Sequence, residues 1–200
     1  MHIFRKRMLP FTVFVLGYMV VFTIMAVTQG NKEFLFYEGT MAVIIAIIVF
    51  MDRRVEFSPL VLGGMAIWGF VHLAGGLISV PVEWTSVGET TPVLYDVRLS
   101  PYLPKYDQMV HAFGFGIALI LAHEALQAHL KRPLPINVAI GFCLFFIAMG
   151  LGALNELIEF VAVLSIANTE VGGYNNTGWD LVSNAIGSLL ALAFLKARST

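Results

Sequence analysis

The sequence predicts an all-α fold: a polytopic bundle of six membrane-spanning helices, with both termini on the cytoplasmic side. Three observations carry this. The 200 residues are 58% hydrophobic and only 12% charged, with mean hydropathy +0.81, where a soluble domain has roughly 45–50% apolar and about 25% charged residues. The apolar residues fall into six runs, each about as long as the ~20 residues that cross a bilayer. The cations alternate between connections. Arg5, Lys6, Arg7, Arg53, Arg54, Lys131, Arg132, Lys196 and Arg198 fall on one side, and only Lys32, Arg98 and Lys105 on the other. The side richer in cations is the cytoplasmic one.

The first span, residues 9–29, follows a basic start that would also suit a secretory signal, but five further spans follow it. The second covers residues 34–51. The third covers 58–80, with Pro59 tolerated in its first turn. The fourth, fifth and sixth cover 107–130, 134–167 and 179–195, all within one integral membrane domain of residues 1–200. The lone Cys143 lies in an apolar run and reads as a buried, inert thiol. The one sizeable polar connection, residues 81–106, carries Pro81, Pro92, Pro101 and Pro104, which oppose a continuous helix. It is either a lid over the outer face or a plain connector. Trp84, Tyr102, Tyr106 and Trp179 lie near span ends, where amphipathic rings anchor at the interface. Nothing in charge or motif points to nucleic acid.

With orientation assigned, polar residues converge in depth. His72 lies about 12 Å below the outer end of the third span, at about 1.5 Å per residue. Asp107 and His111 occupy the first turns of the fourth. Asn155, Glu156 and Glu159 sit in the outer half of the fifth, Asp180 and Asn184 begin the sixth after a polar hairpin of residues 169–180, and Glu38 is near the start of the second. Asp107/His111, Asn155/Glu159 and Asp180/Asn184 are i, i+4 pairs, each on one helix face. Ionisable groups are costly inside a membrane and mark a site or a paired network. Glycines 69, 75, 76, 114, 116, 150 and 152 flank these positions and favour close helix approach.

Imidazole with carboxylates suits a divalent cation, zinc or another transition metal above all. The same groups also suit a proton relay or acid/base pair, or a hydrogen-bonded network that only joins helices. Asp107, His111, Glu156 and Asp180 are the expected metal ligands, with Asp107, His111 and Glu156 also the expected catalytic groups. His72, Glu159, Asn184, Glu38 and Asn155 are expected to support them, while Asp107 and Asp180 have helix capping as an alternative role. His123, Glu124 and His129 belong to the cytoplasmic end of the fourth span, outside the site, and are expected to form a solvated or snorkelling helix end.

These residues resemble a known pattern. His72-Leu-Ala-Gly75-Gly76, Tyr106-Asp107-x-x-x-His111, Asn155-Glu156-Leu-Ile-Glu159-Phe160 and Trp179-Asp180 are similar, in that order, to motifs of the YjdF-like family of small prokaryotic inner-membrane proteins, a domain of unknown function. Departures are Phe115 for a glycine, Asn155 and Phe160 in the glutamate motif, and Asn176 where the family usually has Asp. More distantly, Asp107/His111, Glu156 and Asp180/Asn184/Gly187 resemble VanZ-like membrane proteins, whose name is associated with glycopeptide resistance. The resemblances imply a multi-pass protein of the prokaryotic cytoplasmic membrane and hint at a lipid-linked or cell-envelope substrate. The leading expectation is a metal-binding membrane enzyme of that kind. A small transporter or ion- or proton-coupled carrier is the alternative, and a non-catalytic scaffold the third reading.

Overall fold

The computed structural model describes residues 6–85, 92–98, 100, 102–167, 169 and 171–199. Arg5 of the basic start, Pro101 of the long connection and Glu170 of the polar hairpin lie outside the described residues. Among the described residues there is no strand, and six helices are long and apolar enough to cross a membrane: α1 (Leu9–Gln29), α2 (Lys32–Val55), α3 (Pro59–Leu77), α4 (Tyr106–Gln127), α5 (Val138–Ser165) and α6 (Tyr174–Ser199). Their outward faces carry exposed apolar side chains such as Val13, Leu16, Phe142 and Leu164, the surface expected where hydrocarbon rather than water is the solvent.

The helix limits follow from local chemistry. Asn31, Ser58 and Asn137 cap α2, α3 and α5, each accepting a backbone N–H three residues on, from Phe34, Val61 and Ile140, which satisfies one of the orphan donors of a first turn. Gly30 ends α1 with a positive φ of 66°, the left-handed cap that glycine adopts without strain. Glu56 ends α2 in the same conformation at φ 57°. Arg7 holds that turn by donating to the Glu56 and Phe57 carbonyls at 2.7 and 3.2 Å.

Four expectations need correction. Helix α3 stops at Leu77, so His72 is about 7.5 Å from its end at about 1.5 Å per residue, shallower than the sequence suggests. Helix α5 begins at Val138, because Pro133 and Pro135 exclude a helical lead-in. Helix α6 begins five residues before Trp179, so most of the expected polar hairpin is its first two turns. Cys143 faces outward from α5 and is exposed, since the run around it is apolar on every side and gives no hint of which face is inward.

Helices α3 and α4 form the centre, with α4 packed against α3, α5 and α6, and α1 closing over α3 and α2. The tightest crossing joins α4 to α6. A methyl at Gly187 would overlap the Ala112 carbonyl oxygen, and one at Gly116 would come within 3.0 Å of the Gly187 carbonyl. One half of the interior is apolar, built around Met8, Phe57, Val61, Leu119 and Leu144. The other half, at the end where α2, α4 and α6 begin, holds most of the buried polar residues beside a second apolar cluster around Tyr18, Phe34 and Leu73, while Asp52 is buried at the opposite end of α2.

The connection between α3 and α4 folds back over that end. Val80 donates to the Pro92 carbonyl and Leu94 to that of Ile78, and short bridges pair Ser79 with Val93 and Thr85 with Val97. Tyr102, Trp84 and Trp179 remain exposed. Tyr106 does not, since its hydroxyl donates to the Val71 carbonyl at 3.0 Å and ties α4 to α3 instead of anchoring at an interface.

Candidate functional site

Each side chain of the site is set by its helix. Lys105 takes the cap position of α4, which leaves Asp107 in the first turn and His111 one turn below it. The early start of α6 makes Asn176, Asp180 and Asn184 a stripe at i, i+4 and i+8 on one face. Asp180 therefore sits in the second turn and caps nothing, as Asp107 caps nothing on α4. The glycine crossing presses that stripe against Asp107 and His111. A methyl at Gly152 would press on the Asn184 amide at 2.6 Å, so α5 also closes on this stripe. Gly150, by contrast, has nothing within 4 Å of where a methyl would stand.

His111 is the hub. Its Nδ1 lies 3.1 Å from Asn184 Oδ1, and both side chains are buried. An amide oxygen only accepts, so this bond places the imidazole proton on Nδ1 and leaves Nε2 with its lone pair. Facing Nε2 are Asp107 Oδ1 at 3.6 Å and Glu159 Oε1 at 4.0 Å, while Glu156 Oε1 is 3.8 Å from Nδ1. Ligand atoms of Asp107, His111 and Asp180 all lie within 4.8 Å of one another, as do those of His111, Glu156 and Glu159. These groups could hold a metal ion. Two donors bound tetrahedrally at about 2.0–2.1 Å stand about 3.4 Å apart, close to the separation of His111 from Asp107.

The hydrogen-bond accounting points the same way. Both oxygens of Glu156, Asp180 Oδ1 and Asn184 Nδ2 are buried without a hydrogen-bond partner, although buried polar atoms are ordinarily satisfied and each exception asks for an explanation. Asn176 bridges the other side of the cluster, its Nδ2 donating to Asp180 Oδ2 at 2.7 Å and to Asp107 Oδ2 at 3.4 Å. Asn155 donates to Glu159 Oε1 at 2.7 Å. The Oδ1 atom of Asp180 thus has no donor while its Oδ2 is held.

His72 of α3 stands near His111, beside this centre. It is fixed by Tyr95 of the long connection, whose hydroxyl donates to the His72 carbonyl at 2.7 Å and accepts from Nδ1 at 2.6 Å. Trp68 stacks on the imidazole at 5.5 Å. The glycine pair makes this possible, because a side chain at Gly75 would occupy the Tyr95 ring and one at Gly76 the Phe34 ring. Burial, then the carboxylates of Asp107 and Glu159, push the Tyr95 phenol well above its ordinary 10.0. The loop therefore closes the site with a neutral hydroxyl.

The structure brings Asp107, His111, Glu156, Glu159, Asp180, Asn155 and Asn184 together, with His72 adjoining. Glu38 is buried elsewhere, on the side of α2 that meets Thr23 of α1. Glu33, of which the sequence raises no expectation, is buried one turn before Tyr37, near enough for its charge to act on Tyr37 and Glu159. Its signal was the Glu33/Tyr37 i, i+4 spacing behind the Asn31 cap. Tyr95 is a further member that the sequence does not single out, and Asn176, a departure from the family's usual Asp, joins the cluster. At the opposite end Glu124 is not a solvated helix end, because it accepts from the Ser58 N–H and hydroxyl at 2.8 and 2.6 Å and ties α4 to α3. His129 is exposed there.

Among known proteins, residues 10–200 match the family described as "Predicted membrane protein (DUF2238)". The match is consistent with the YjdF-like resemblance and does not extend to the VanZ-like one. No curated protein and no solved structure matches the chain.

Proposed function

The chain belongs to the DUF2238 family of predicted membrane proteins, and from its site we propose a membrane-embedded, metal-binding enzyme acting on a lipid-linked or cell-envelope substrate. The observation that carries this reading is the gathering of Asp107, His111, Asp180, Glu156 and Glu159 from three helices, with buried carboxylate oxygens that have no donor. Four carboxylates around one imidazole in a low-dielectric interior repel one another strongly unless a cation or protons intervene.

In this reading Asp107, Asp180 and Nε2 of His111 hold the ion, with Glu159 beside Nε2 and Asn184 fixing the tautomer. Mixed imidazole and carboxylate donors favour zinc or another transition metal. Such an ion supplies Lewis-acid polarisation of a substrate oxygen or of water. Glu156, on the Nδ1 side of His111, is the proposed group that takes or gives the proton. Asn155 keeps Glu159 oriented, and Tyr95 excludes bulk water over His72. With both termini cytoplasmic, the centre lies in the outer half of the bilayer, where envelope substrates are found.

The apolar layer around Phe57, Val61, Leu119 and Leu144 lies across the route to the other end of the bundle. It favours the enzyme over an ion- or proton-coupled carrier, which needs access from both faces. Elemental analysis of the purified protein tests the proposal. The wild type is expected to carry about one metal ion per chain and Asp107→Ala or Asp180→Ala less than a tenth of that, with helical content unchanged. A metal-free wild type after loading with zinc, manganese or iron would leave the scaffold reading in its place.

A further inference from the structure

We propose that the centre takes a phosphate group as its ligand, in a polar chamber of about 320 Å³ above Asp107. The inference rests on the metal reading of the preceding subsection and adds the substrate class. The chamber is lined by Arg98 and Lys105 from the long connection, by Asn175 and Asn176 from α6, and by Tyr95 and Asp107. Its volume falls at the lower end of the roughly 300–1,000 Å³ typical of small-molecule sites.

Three features fix the sign of the ligand. Helices α4 and α6 both begin at the chamber wall, and helices of this length carry a positive partial charge at that end. Arg98 and Lys105 add two cations, Lys105 lying 3.1 Å from Asp96. Among the described residues the anionic groups lining the chamber are Asp96 and Asp107, so the formal charge of these four side chains sums to zero. A divalent ion on Asp107, His111 and Asp180 turns that sum to plus one once the Asp180 carboxylate is counted, which favours an anion.

Asp107 also explains why chamber and centre act together. Of the acids grouped around His111, it is the one that lines the chamber, so an ion bound to it stands at the boundary. Glu156, Glu159 and Asp180 lie behind it, away from an incoming anion. A tetrahedral dianion offers oxygens to the ion, the guanidinium and the helix ends at once, which a planar monoanionic carboxylate does not. Lipid phosphomonoesters and free phosphate share this chemistry.

Binding of inorganic phosphate to the purified protein in detergent, measured by equilibrium titration with and without zinc, tests the proposal. Zinc-loaded protein is expected to bind one phosphate per chain, and zinc-free protein at least tenfold more weakly. Arg98→Gln and, independently, Lys105→Gln are expected to weaken phosphate at least tenfold while zinc stoichiometry stays at the wild-type value. In nanodiscs, competition by phosphatidic acid and not by phosphatidylcholine assigns the phosphate to a lipid headgroup; no competition by either assigns it to a soluble ligand. Zinc bound without phosphate, or phosphate indifferent to zinc and to both substitutions, overturns this inference alone. Failure of the wild type to bind any metal overturns it together with the metal reading.

Discussion

Asn184 touches no proposed substrate, yet its carbonyl oxygen decides which imidazole nitrogen of His111 carries the lone pair. Removing such an orienting partner of a metal-bound histidine typically costs 10–100-fold in affinity. Asn184→Leu is therefore expected to weaken zinc by about that factor, whereas Asn184→Asp, which keeps the acceptor, stays within about threefold of wild type. Competition with a fluorescent chelator measures both, and equal affinities for the two variants would remove Asn184 from the centre. At this scale the sequence was informative where spacing and surroundings agreed. Asp107/His111 and Asp180/Asn184 are i, i+4 pairs of polar residues in apolar runs, and the structure joins them across one interface. Glu33 escaped because an acid in a helix's first turn is ordinary, favoured there by the backbone dipole. Tyr95 escaped because only the folded path of the loop carries an aromatic ring from the connection into the gap above Gly75.

At the scale of elements, the helices themselves were legible from composition and their ends were not. The polar run from Tyr174 to Thr177 reads as loop because sequence shows polarity, whereas Asn175 and Asn176 face the chamber and the cluster from inside a helix. Glycines presented the same problem in another form. Seven flank the polar positions, but close approach is not uniform among them: Gly75, Gly76, Gly114 and Gly152 each leave room for a neighbouring side chain, and Gly150 leaves room for nothing. Gly187→Ala is expected to cut the yield of folded protein several-fold, because the obstructing atom is the Ala112 backbone oxygen and cannot rotate away. Gly150→Ala should fold as well as wild type or slightly better, since alanine is the better helix former by about 1 kcal/mol. Size-exclusion profiles and thermal denaturation of the two variants check the contrast, and equal losses would refute the assignment of the crossing to Gly187.

For the whole molecule, the six-helix class followed from hydropathy alone, while the orientation rests on the distribution of cations and is a proposal. It is tested by single cysteines placed after Cys143→Ser. Tyr102→Cys, at a position 96% exposed, is expected to react with a membrane-impermeant maleimide in intact cells. Ser199→Cys is expected to react only after permeabilisation. The reverse pattern would move the centre to the cytoplasmic half and remove the argument for an envelope substrate. The crossing of α4 and α6 gives this molecule a mechanical property as well. Asp180 sits seven residues from Gly187, about 10 Å along α6, so Gly187 is a fulcrum and the first turns of α6 are its lever arm. A rocking of α6 by about 5° would carry Asp180 about 1 Å relative to Asp107. The spacing of Asp180 from Asp107 is in that sense geared to the tilt of one helix, and helix tilt in turn answers to the thickness of the surrounding bilayer.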